Sequence, residues 1–242
     1  MMDYEETSAP VRYALDDHDS DEELEASKVF DKVTIKIETQ VTTPSTLIIG
    51  LDQPGKVYVQ SLLHTQPAGT ILRQIDNTTE TKARLYQHED TLLIAFDAIV
   101  PEEAHLYTQA MMQQWKVNKM IVLDSFRAVG YVSHVWGEDL VPPFLRVLQT
   151  SVSEHQPKFT LFETPNMVQG LSAAILNHCE IHQMVCYDLL SFQESMYGQL
   201  LVTNETLTAY ETGLSLLGYQ LKLDQGKLSQ MDQEQSSHRL YL

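Results

Sequence analysis

The chain has 242 residues, of which 43% are apolar, so it is long enough for one large domain or two small ones. Its formal net charge of −17 excludes a phosphate-binding surface, because nucleic-acid binders cluster Lys and Arg. Two cysteines exclude a disulfide framework, and no apolar run reaches the roughly 18 residues of a membrane span. With no basic, apolar leader, these features predict a cytoplasmic protein, with the nucleus as a second compartment.

The N-terminal segment is strongly acidic. Residues 1–28 hold ten acidic residues against Arg12 and Lys28, so they carry about half of the net charge. Self-repulsion and few apolar groups predict a disordered acidic segment over 1–28. It can serve as a solvating tail or as an acidic docking arm, and the sequence leaves both open.

From Val33 onward, short apolar runs alternate with amphipathic stretches. Continuous apolar runs are typical of strands buried on both faces. They predict strands at residues 46–51, 91–96, 119–123, 159–162 and 184–187. Pro54 and Gly55 open a further segment, 56–64, that is predicted to turn back as a helix.

Three more helices are predicted from their start signals. Pro101 with two following glutamates begins the first, Thr164 caps the second, and Thr203 caps the third, which Gly218 ends. Apolar residues recur every three or four positions on each and mark the inward faces. These inward residues are Tyr107, Met111 and Trp115; Val168, Leu171 and Ile175; and Leu207, Tyr210, Leu214 and Leu217.

The alternation of strands and helices predicts one α/β domain over residues 29–223. We expect a mostly parallel sheet covered by helices on both faces, an α/β/α sandwich. Residues 224–242 are mostly polar and are predicted to form a flexible tail. The tail ends in Leu240, Tyr241 and Leu242, an apolar side chain, an amphipathic ring and a terminal carboxylate. Capture of such a carboxylate in a basic or backbone-amide pocket is a known recognition mode for peptides, so the three residues are suited to insertion into a partner.

The sequence offers no catalytic or metal-binding motif. It contains no dinucleotide, P-loop or nucleophile-elbow pattern. Residues 50–55 are predicted to form a tight turn, and Ser125 to cap a turn or helix. Cys179, His182 and Cys186 span a helix end, a connector and a strand, so their side chains are expected to diverge. We therefore predict no catalytic residue, no metal and no cofactor, and a protein that is not an enzyme.

Two segments resemble the proteasome assembly chaperone 1 family. Residues 142–150, PPFLRVLQT, resemble the Pro-Phe-Leu-Arg helix of that family, with Phe144, Leu145 and Leu148 on its buried face. Residues 161–179 resemble the following segment, in which a Glu-x-Pro-Asn turn leads into a helix containing Ala-Ala. The two segments occur in the same order and at a similar spacing.

The resemblance implies a non-catalytic α/β protein that pairs with proteasome assembly chaperone 2 as a heterodimer. It also implies that the pair binds the α-subunit ring of the nascent proteasome core particle, promotes ring assembly and blocks premature regulator binding. The C-terminal hydrophobic-Tyr-any motif of the family inserts between adjacent α subunits, and Leu240, Tyr241 and Leu242 match it position by position.

Two other classes stay open at this point. One is an α/β small-molecule enzyme, which needs a ligand-filled cleft at the strand ends. The other is a scaffold protein whose C-terminus is read by a PDZ domain, because Leu240 and Leu242 suit an added β-strand with a captured carboxylate.

Overall fold

The computed structural model describes residues 33–134, 140–196, 199–200 and 202–228. They belong to one structural unit, Val33–Leu242, which follows the separate unit Met1–Lys32. The acidic segment predicted at 1–28 and the predicted binding residues Leu240, Tyr241 and Leu242 lie outside the described residues.

Strands and helices alternate along the described part of the chain. The strands are β1 (Thr34–Thr39), β2 (Thr46–Gly50), β3 (Gln66–Ile75), β4 (Thr78–His88), β5 (Thr91–Phe96), β6 (Lys119–Arg127), β7 (Phe144–Gln149), β8 (Val185–Gln193), β9 (Ser195–Met196) and β10 (Gln199–Leu200). The helices are α1 (Asp52–Gln60), α2 (Ala104–Gln114), α3 (Gly170–Ile181) and α4 (Asn204–Leu216), with a 3-10 turn at Pro101–Glu103. Across these described helices, none has the length and apolar character needed to cross a membrane.

Eight strands form one sheet in the order β1-β3-β4-β5-β2-β6-β8-β7. The four central strands β5, β2, β6 and β8 are parallel, whereas the outer strands pair antiparallel. The predicted α/β fold is confirmed, and the sheet is mixed, with three parallel and four antiparallel strand pairs. The hairpins β3–β4 and β4–β5 pair antiparallel, and so do the edge strands β1 and β7 with their neighbours. The hairpin of β3 and β4 was not predicted, because its half-exposed side chains form no continuous apolar run.

Each central strand is buried on both faces. Leu47 and Ile49 of β2 point into a core with α2 and α3, and Ile48 points into a second core with α1 and α4. This explains the continuous apolar runs of the parallel strands, since successive side chains enter opposite cores. Each fully buried aliphatic side chain stabilises the fold by about 1.5 to 3 kcal/mol.

Two of the predicted helices match the structure closely. Tyr107, Met111 and Trp115 are buried at and just after α2, and the indole nitrogen of Trp115 donates a hydrogen bond to the Val41 carbonyl at 2.9 Å. The Thr203 hydroxyl caps α4 by accepting from the backbone N–H of Thr206.

The predicted helix over residues 142–150 is wrong, because Phe144–Gln149 is strand β7. Its backbone pairs antiparallel with β8, from the Phe144–Phe192 pair onward. Leu145 and Val147 face the core of α1 and α4, whereas Leu148 packs on the opposite core. This two-residue alternation is that of a strand, and the long-range partner in β8 decides the outcome.

The predicted strand at residues 159–162 is also wrong. Only a single parallel bridge joins Leu161 to Val147, although the segment runs along the outer edge of β7. The N–H of Val147 donates to the Thr160 carbonyl at 3.0 Å, and the N–H of Phe162 donates to the Val147 carbonyl at 2.8 Å. The segment therefore covers part of the edge of β7 without extending the sheet.

Helix α3 begins at Gly170, later than the predicted cap at Thr164. Asn166 closes a turn first, because its N–H donates to the Glu163 carbonyl at 3.1 Å and its side-chain amide donates to the same carbonyl at 2.8 Å. Leu171 and Ile175 then face the core as predicted.

Residues 224–228, the first part of the predicted tail, lie against the end of α1. The N–H of Asp224 donates to the Ser61 carbonyl, and the Lys227 ammonium donates to the Leu62 carbonyl, each at 2.7 Å. Leu228 is buried in the adjacent core. Residues 229–242 lie outside the described residues, so flexibility there stays a prediction.

The tight turn predicted over residues 50–55 is wrong, because helix α1 already begins at Asp52, and this start of α1 lies unusually close to the sheet. A Cβ atom on Gly50 would lie 2.1 Å from the Gly55 carbonyl oxygen, and one on Gly55 would lie 2.3 Å from the Leu123 carbonyl oxygen. Because both obstacles are backbone atoms, only glycine fits at these positions.

We expect Gly55→Ala to lower the free energy of unfolding by about 3 kcal/mol, because the added methyl group must push β6 and α1 apart. The matched control is Gly226→Ala at an exposed position, where the nearest atom is a side-chain oxygen at 3.2 Å, and we expect a change within about 0.5 kcal/mol. Urea unfolding followed by circular dichroism measures both. Equal stability of Gly55→Ala and the unchanged chain would contradict the close packing.

Candidate interaction surface

Arg146 of β7 packs against two rings of an aromatic cluster, Tyr131 and Phe144. It is only 4% exposed, and its Nε donates a hydrogen bond to the Tyr131 hydroxyl at 3.1 Å. Its guanidinium carbon lies 5.4 Å from the Tyr131 ring centroid and 5.0 Å from that of Phe144, within cation–π range. Burial raises the pKa of Tyr131, while the Arg146 charge acts in the opposite direction. The pair joins the loop after β6 to the edge strand.

Phe192 of β8 links the rings around Arg146. It stacks on Phe144 with centroids 4.9 Å apart and an interplanar angle of 6°, and it packs on Tyr131 at 4.6 Å. Phe126 and Phe162 contact the same ring at 5.8 and 6.3 Å. Such pairs contribute about 0.5 to 1.5 kcal/mol each beyond their buried area. The cluster therefore fastens β6, β7, β8 and two loops to one another.

Hydrogen bonds then join the loops above this cluster. The N–H of Val132 donates to the side-chain oxygen of Asn166 at 3.0 Å, and the Asn166 amide donates to the Val132 carbonyl at 2.8 Å. The N–H of His134 donates to the Glu163 carboxylate at 2.8 Å. Glu163 and Asn166 are the defining residues of the Glu-x-Pro-Asn turn, so this turn holds the loop after β6 in place.

Large apolar side chains are exposed on these two loops and on residues 140–143, which precede β7. We define the loop platform as residues 128–134, 140–143 and 160–169. Among the described residues, five of the eight exposed large apolar side chains belong to it: Val129, Val132, Val141, Leu161 and Met167. Exposed apolar patches are typical of protein interaction sites, and these loops carry most of the exposed large apolar side chains among the described residues. The loop platform is therefore the candidate interaction surface.

A buried carboxyl group ties α3 to the sheet behind the platform. Asp124 of β6 accepts the Ser172 hydroxyl of α3 at 2.6 Å and the N–H of Ser125 at 2.7 Å. The hydroxyl of Tyr210 in α4 donates to the Asp124 carbonyl at 2.7 Å. Desolvation raises the pKa of Asp124 to about 7. One residue thereby connects the helices on both faces of the sheet.

Asp188 of β8 is a second buried carboxyl group close to Asp124. The pKa of Asp188 is raised well above its ordinary value, mainly by burial and to a smaller extent by the charge of Asp124. Asp124 also lines a cleft of about 170 Å³ at the carboxyl ends of the strands, together with Asp52 and the start of α3. This is the edge where open α/β sheets bind ligands. Both oxygens of Asp124 are occupied by Ser172 and Ser125, so the group acts there as a structural tie.

The other residues weighed from the sequence do not assemble into a reactive site. Ser125 lies inside strand β6, so its predicted role as a cap is wrong. The prediction that the side chains diverge is also wrong for Cys179 and Cys186, which are both buried and lie close together. The hydrogen bond with Cys179 is the main cause that raises the pKa of the Cys186 thiol, and burial is the second. His182 is exposed. Within the described ranges, no group of three His, Cys, Asp or Glu side chains could hold a metal ion.

Tyr131, Arg146 and Phe192 were not predicted as site residues from sequence. They lie far apart along the chain and meet only because β6 and β7 both pair with β8. The one available signal was the aromatic content of residues 126–192, where Phe and Tyr recur without helical or strand spacing.

The raised pKa of Asp124 makes stability depend on pH. Between about pH 4 and 7 the folded chain keeps a proton that the unfolded chain releases, so the free energy of unfolding falls as pH rises through this range. We expect Asp124→Asn to reduce the loss of unfolding free energy between pH 5 and 8 by on the order of 2 kcal/mol, since the amide cannot ionise. The amide oxygen can accept from the N–H of Ser125, and the amide NH2 can donate to the Ser172 hydroxyl, which is then free to donate to the Gln169 carbonyl.

Urea unfolding at pH 5, 6, 7 and 8 tests this expectation. The exposed Glu154→Gln serves as the control and should leave the pH dependence unchanged. An identical pH dependence for Asp124→Asn and the unchanged chain would show that Asp124 is ionised in both states.

Comparison with protein families gives one broad match. A family model described as Proteasome assembly chaperone 4 matches residues 72–236, more than half of the chain. The chain is 25% identical to Proteasome assembly chaperone 1 of Nematostella vectensis over 149 residues, covering 60% of this chain and 56% of that protein. It is 22% identical to the Dictyostelium discoideum protein of the same name over 186 residues, covering 70% and 68%.

Solved structures with the same fold include proteins of related description. The archaeal homolog of proteasome-assembly chaperone PbaA from Pyrococcus furiosus superposes with a TM-score of 0.56 at 13% identity, covering 87% of this chain and 96% of that one. The archaeal proteasome activator PbaB from the same organism has a TM-score of 0.54 at 16% identity, covering 87% and 98%. At these identities the likeness concerns the fold alone.

The family model and the curated relatives agree with the resemblance of residues 142–150 and 161–179. The chain belongs to the proteasome assembly chaperone 1 family.

Proposed function

We propose that this chain pairs with proteasome assembly chaperone 2 as a heterodimer and that the pair binds the α-subunit ring of the nascent core particle. The observation that carries the proposal is family membership, based on a match over residues 72–236. In this proposal the pair promotes ring assembly and blocks premature binding of regulators, in the cytoplasm and the nucleus. The chain itself carries out no catalytic step.

The proposed contact with the ring is made by Leu240, Tyr241 and Leu242. The Leu242 carboxylate pairs with a lysine between adjacent α subunits, a charge-assisted bond of about 1.5 to 3 kcal/mol. The Tyr241 ring is buried with its hydroxyl bonded to the pocket backbone. Burial of Leu240 adds about 1.5 to 3 kcal/mol. Ordering the tail offsets part of this gain, so the three residues alone bind weakly.

The attachment point of the tail limits where the ring pocket can lie. Leu228 is buried beside α1, and about 14 residues follow it. A flexible chain of that length spans about 20 Å on average, and at most about 50 Å when stretched. The folded unit must therefore sit close to the ring, where its own contacts raise the effective concentration of the tail.

Replacing Tyr241 should weaken binding to the α ring. We expect Tyr241→Ala to cost on the order of 2 to 4 kcal/mol, or less where other contacts share the load. One residue added after Leu242 should also weaken binding, because it moves the terminal carboxylate by about 3 Å. The affinity of each variant for isolated α rings is measured and compared with that of the unchanged chain. Ser236→Ala is the control within the tail, and its affinity should be unchanged.

The two changes also separate the rival interpretations. A PDZ groove reads Leu240 and the carboxylate, so it tolerates Tyr241→Ala but rejects the extended tail. Unchanged α-ring affinity for both variants would show that the tail does not bind the ring. Each variant should still co-purify with chaperone 2, because residues 229–242 follow the part of the chain that builds the core.

A further inference from the structure

A long groove borders helix α4 on the side of the edge strand β7. It has a volume of about 510 Å³ and lies between α4 and residues 158–160. Its floor is apolar, with Leu145 and Val147 of β7 beside Phe159 and Leu216. Leu145 and Leu216 are only partly buried, because β7 is the last strand of the sheet and α4 leaves part of it uncovered. We call this feature the α4 groove.

The wall that α4 contributes is less polar than its residue types suggest. The Thr208 hydroxyl donates to the Asn204 carbonyl and the Thr212 hydroxyl donates to the Thr208 carbonyl, each at 2.8 Å. Since both hydroxyls are turned back onto the helix, their methyl groups are left to contact a ligand. The lining runs from Asn204 to Leu216, the whole of α4, so the groove is about 18 Å long. An extended segment of three residues, about 10 Å long, fits within it.

The chain leaves the described structure on the same face of the sheet as the α4 groove. Leu228, the last described residue, is buried in the same core cluster as Val147 and Phe159. Residues 229–242 follow it, and a chain of this length extends to about 50 Å at most. Leu228 lies on the α1 side of α4 and the groove on the β7 side, so the chain needs to cross one helix about 10 to 12 Å wide. The C-terminal residues can therefore reach the groove.

The composition of the C-terminal tail selects its last three residues as the occupant. Met231 is the one apolar residue of the tail before Leu240, whereas Leu240, Tyr241 and Leu242 are consecutive. The groove offers these three side chains an apolar floor. It also offers the ammonium of Lys158, which forms no salt bridge with another described residue, to the terminal carboxylate.

Attachment to the same chain makes a weak contact sufficient. A segment tethered by a short flexible linker has an effective concentration of about 1 mM, so an intrinsic dissociation constant of about 0.3 mM keeps it docked for about three quarters of the time. Three buried side chains can supply such an affinity even after the cost of ordering the tail.

We propose that Leu240, Tyr241 and Leu242 dock in the α4 groove of their own chain when no α ring is bound. The groove is then a second site for the residues that the proposed function assigns to the ring, and the two contacts exclude each other. Docking on the chain's own surface goes beyond the proposed function and does not depend on it.

Digestion of the full chain by carboxypeptidase A tests the docking, because this exopeptidase removes Leu242 only from an undocked tail. Thr212→Glu places a charge on the wall of the groove, and Thr212 is exposed, so the fold should be kept. Ser215→Glu is the matched control on α4, because Ser215 is exposed and does not line the groove. We expect the initial release of Leu242 to be about threefold faster for Thr212→Glu than for the unchanged chain, and within about 1.5-fold for the control.

Two results would overturn the proposal. One is an equal release rate from Thr212→Glu and the unchanged chain, and the other is an equal acceleration in Ser215→Glu. A thermal melt checks the fold of each variant. If Thr212→Glu is unfolded, Thr208→Glu takes its place on the same wall of the groove.

Affinity for isolated α rings separates this proposal from the proposed function. Since a docked tail cannot bind the ring, Thr212→Glu should bind the ring about threefold more tightly than the unchanged chain. If neither chain binds the ring, the proposed function fails, while the release of Leu242 still decides whether the tail docks in the groove. If both bind the ring and the release rates are equal, the docking alone is overturned.

Discussion

The parallel pairing of β6 with β8 is the constraint on which the rest of the site depends. Nine consecutive residue pairs run from Lys119–Val185 to Arg127–Gln193. This register places Phe126 beside Phe192 and lets β7 pair on the far side of β8. A slip by one residue would turn Asp124 and Phe126 to the opposite face and separate the aromatic cluster from its loops.

The fold could be predicted where local sequence and tertiary environment agree. Strands buried on both faces need continuous apolar runs, and the capped, amphipathic α4 carries its own start signal in Thr203. The predictions failed where a distant partner decides the conformation. Residues 144–149 are extended because β8 offers hydrogen bonds, and α3 starts late because Asn166 is engaged by the turn and by Val132.

The candidate surface was hidden from sequence for the same reason. Tyr131, Arg146 and Phe192 come from a loop and two strands, and no spacing relates them before the sheet has formed. The proposed binding motif at Leu240, Tyr241 and Leu242 could be found from sequence, because it consists of three consecutive residues and a terminal carboxylate. A motif of consecutive residues can therefore be predicted from sequence, whereas a surface assembled from several strands and loops can be identified only from the folded structure.

The segment that runs along β7 has a consequence for solubility. Thr160 and Phe162 occupy the outward N–H and carbonyl of Val147, so this part of the edge cannot recruit a strand from another molecule. At the opposite edge, β1 exposes Lys36 and Glu38, charged residues that discourage strand-to-strand aggregation. One edge of the sheet is thus partly covered and the other carries charged side chains, and both features discourage amyloid-like growth from the ends of this sheet.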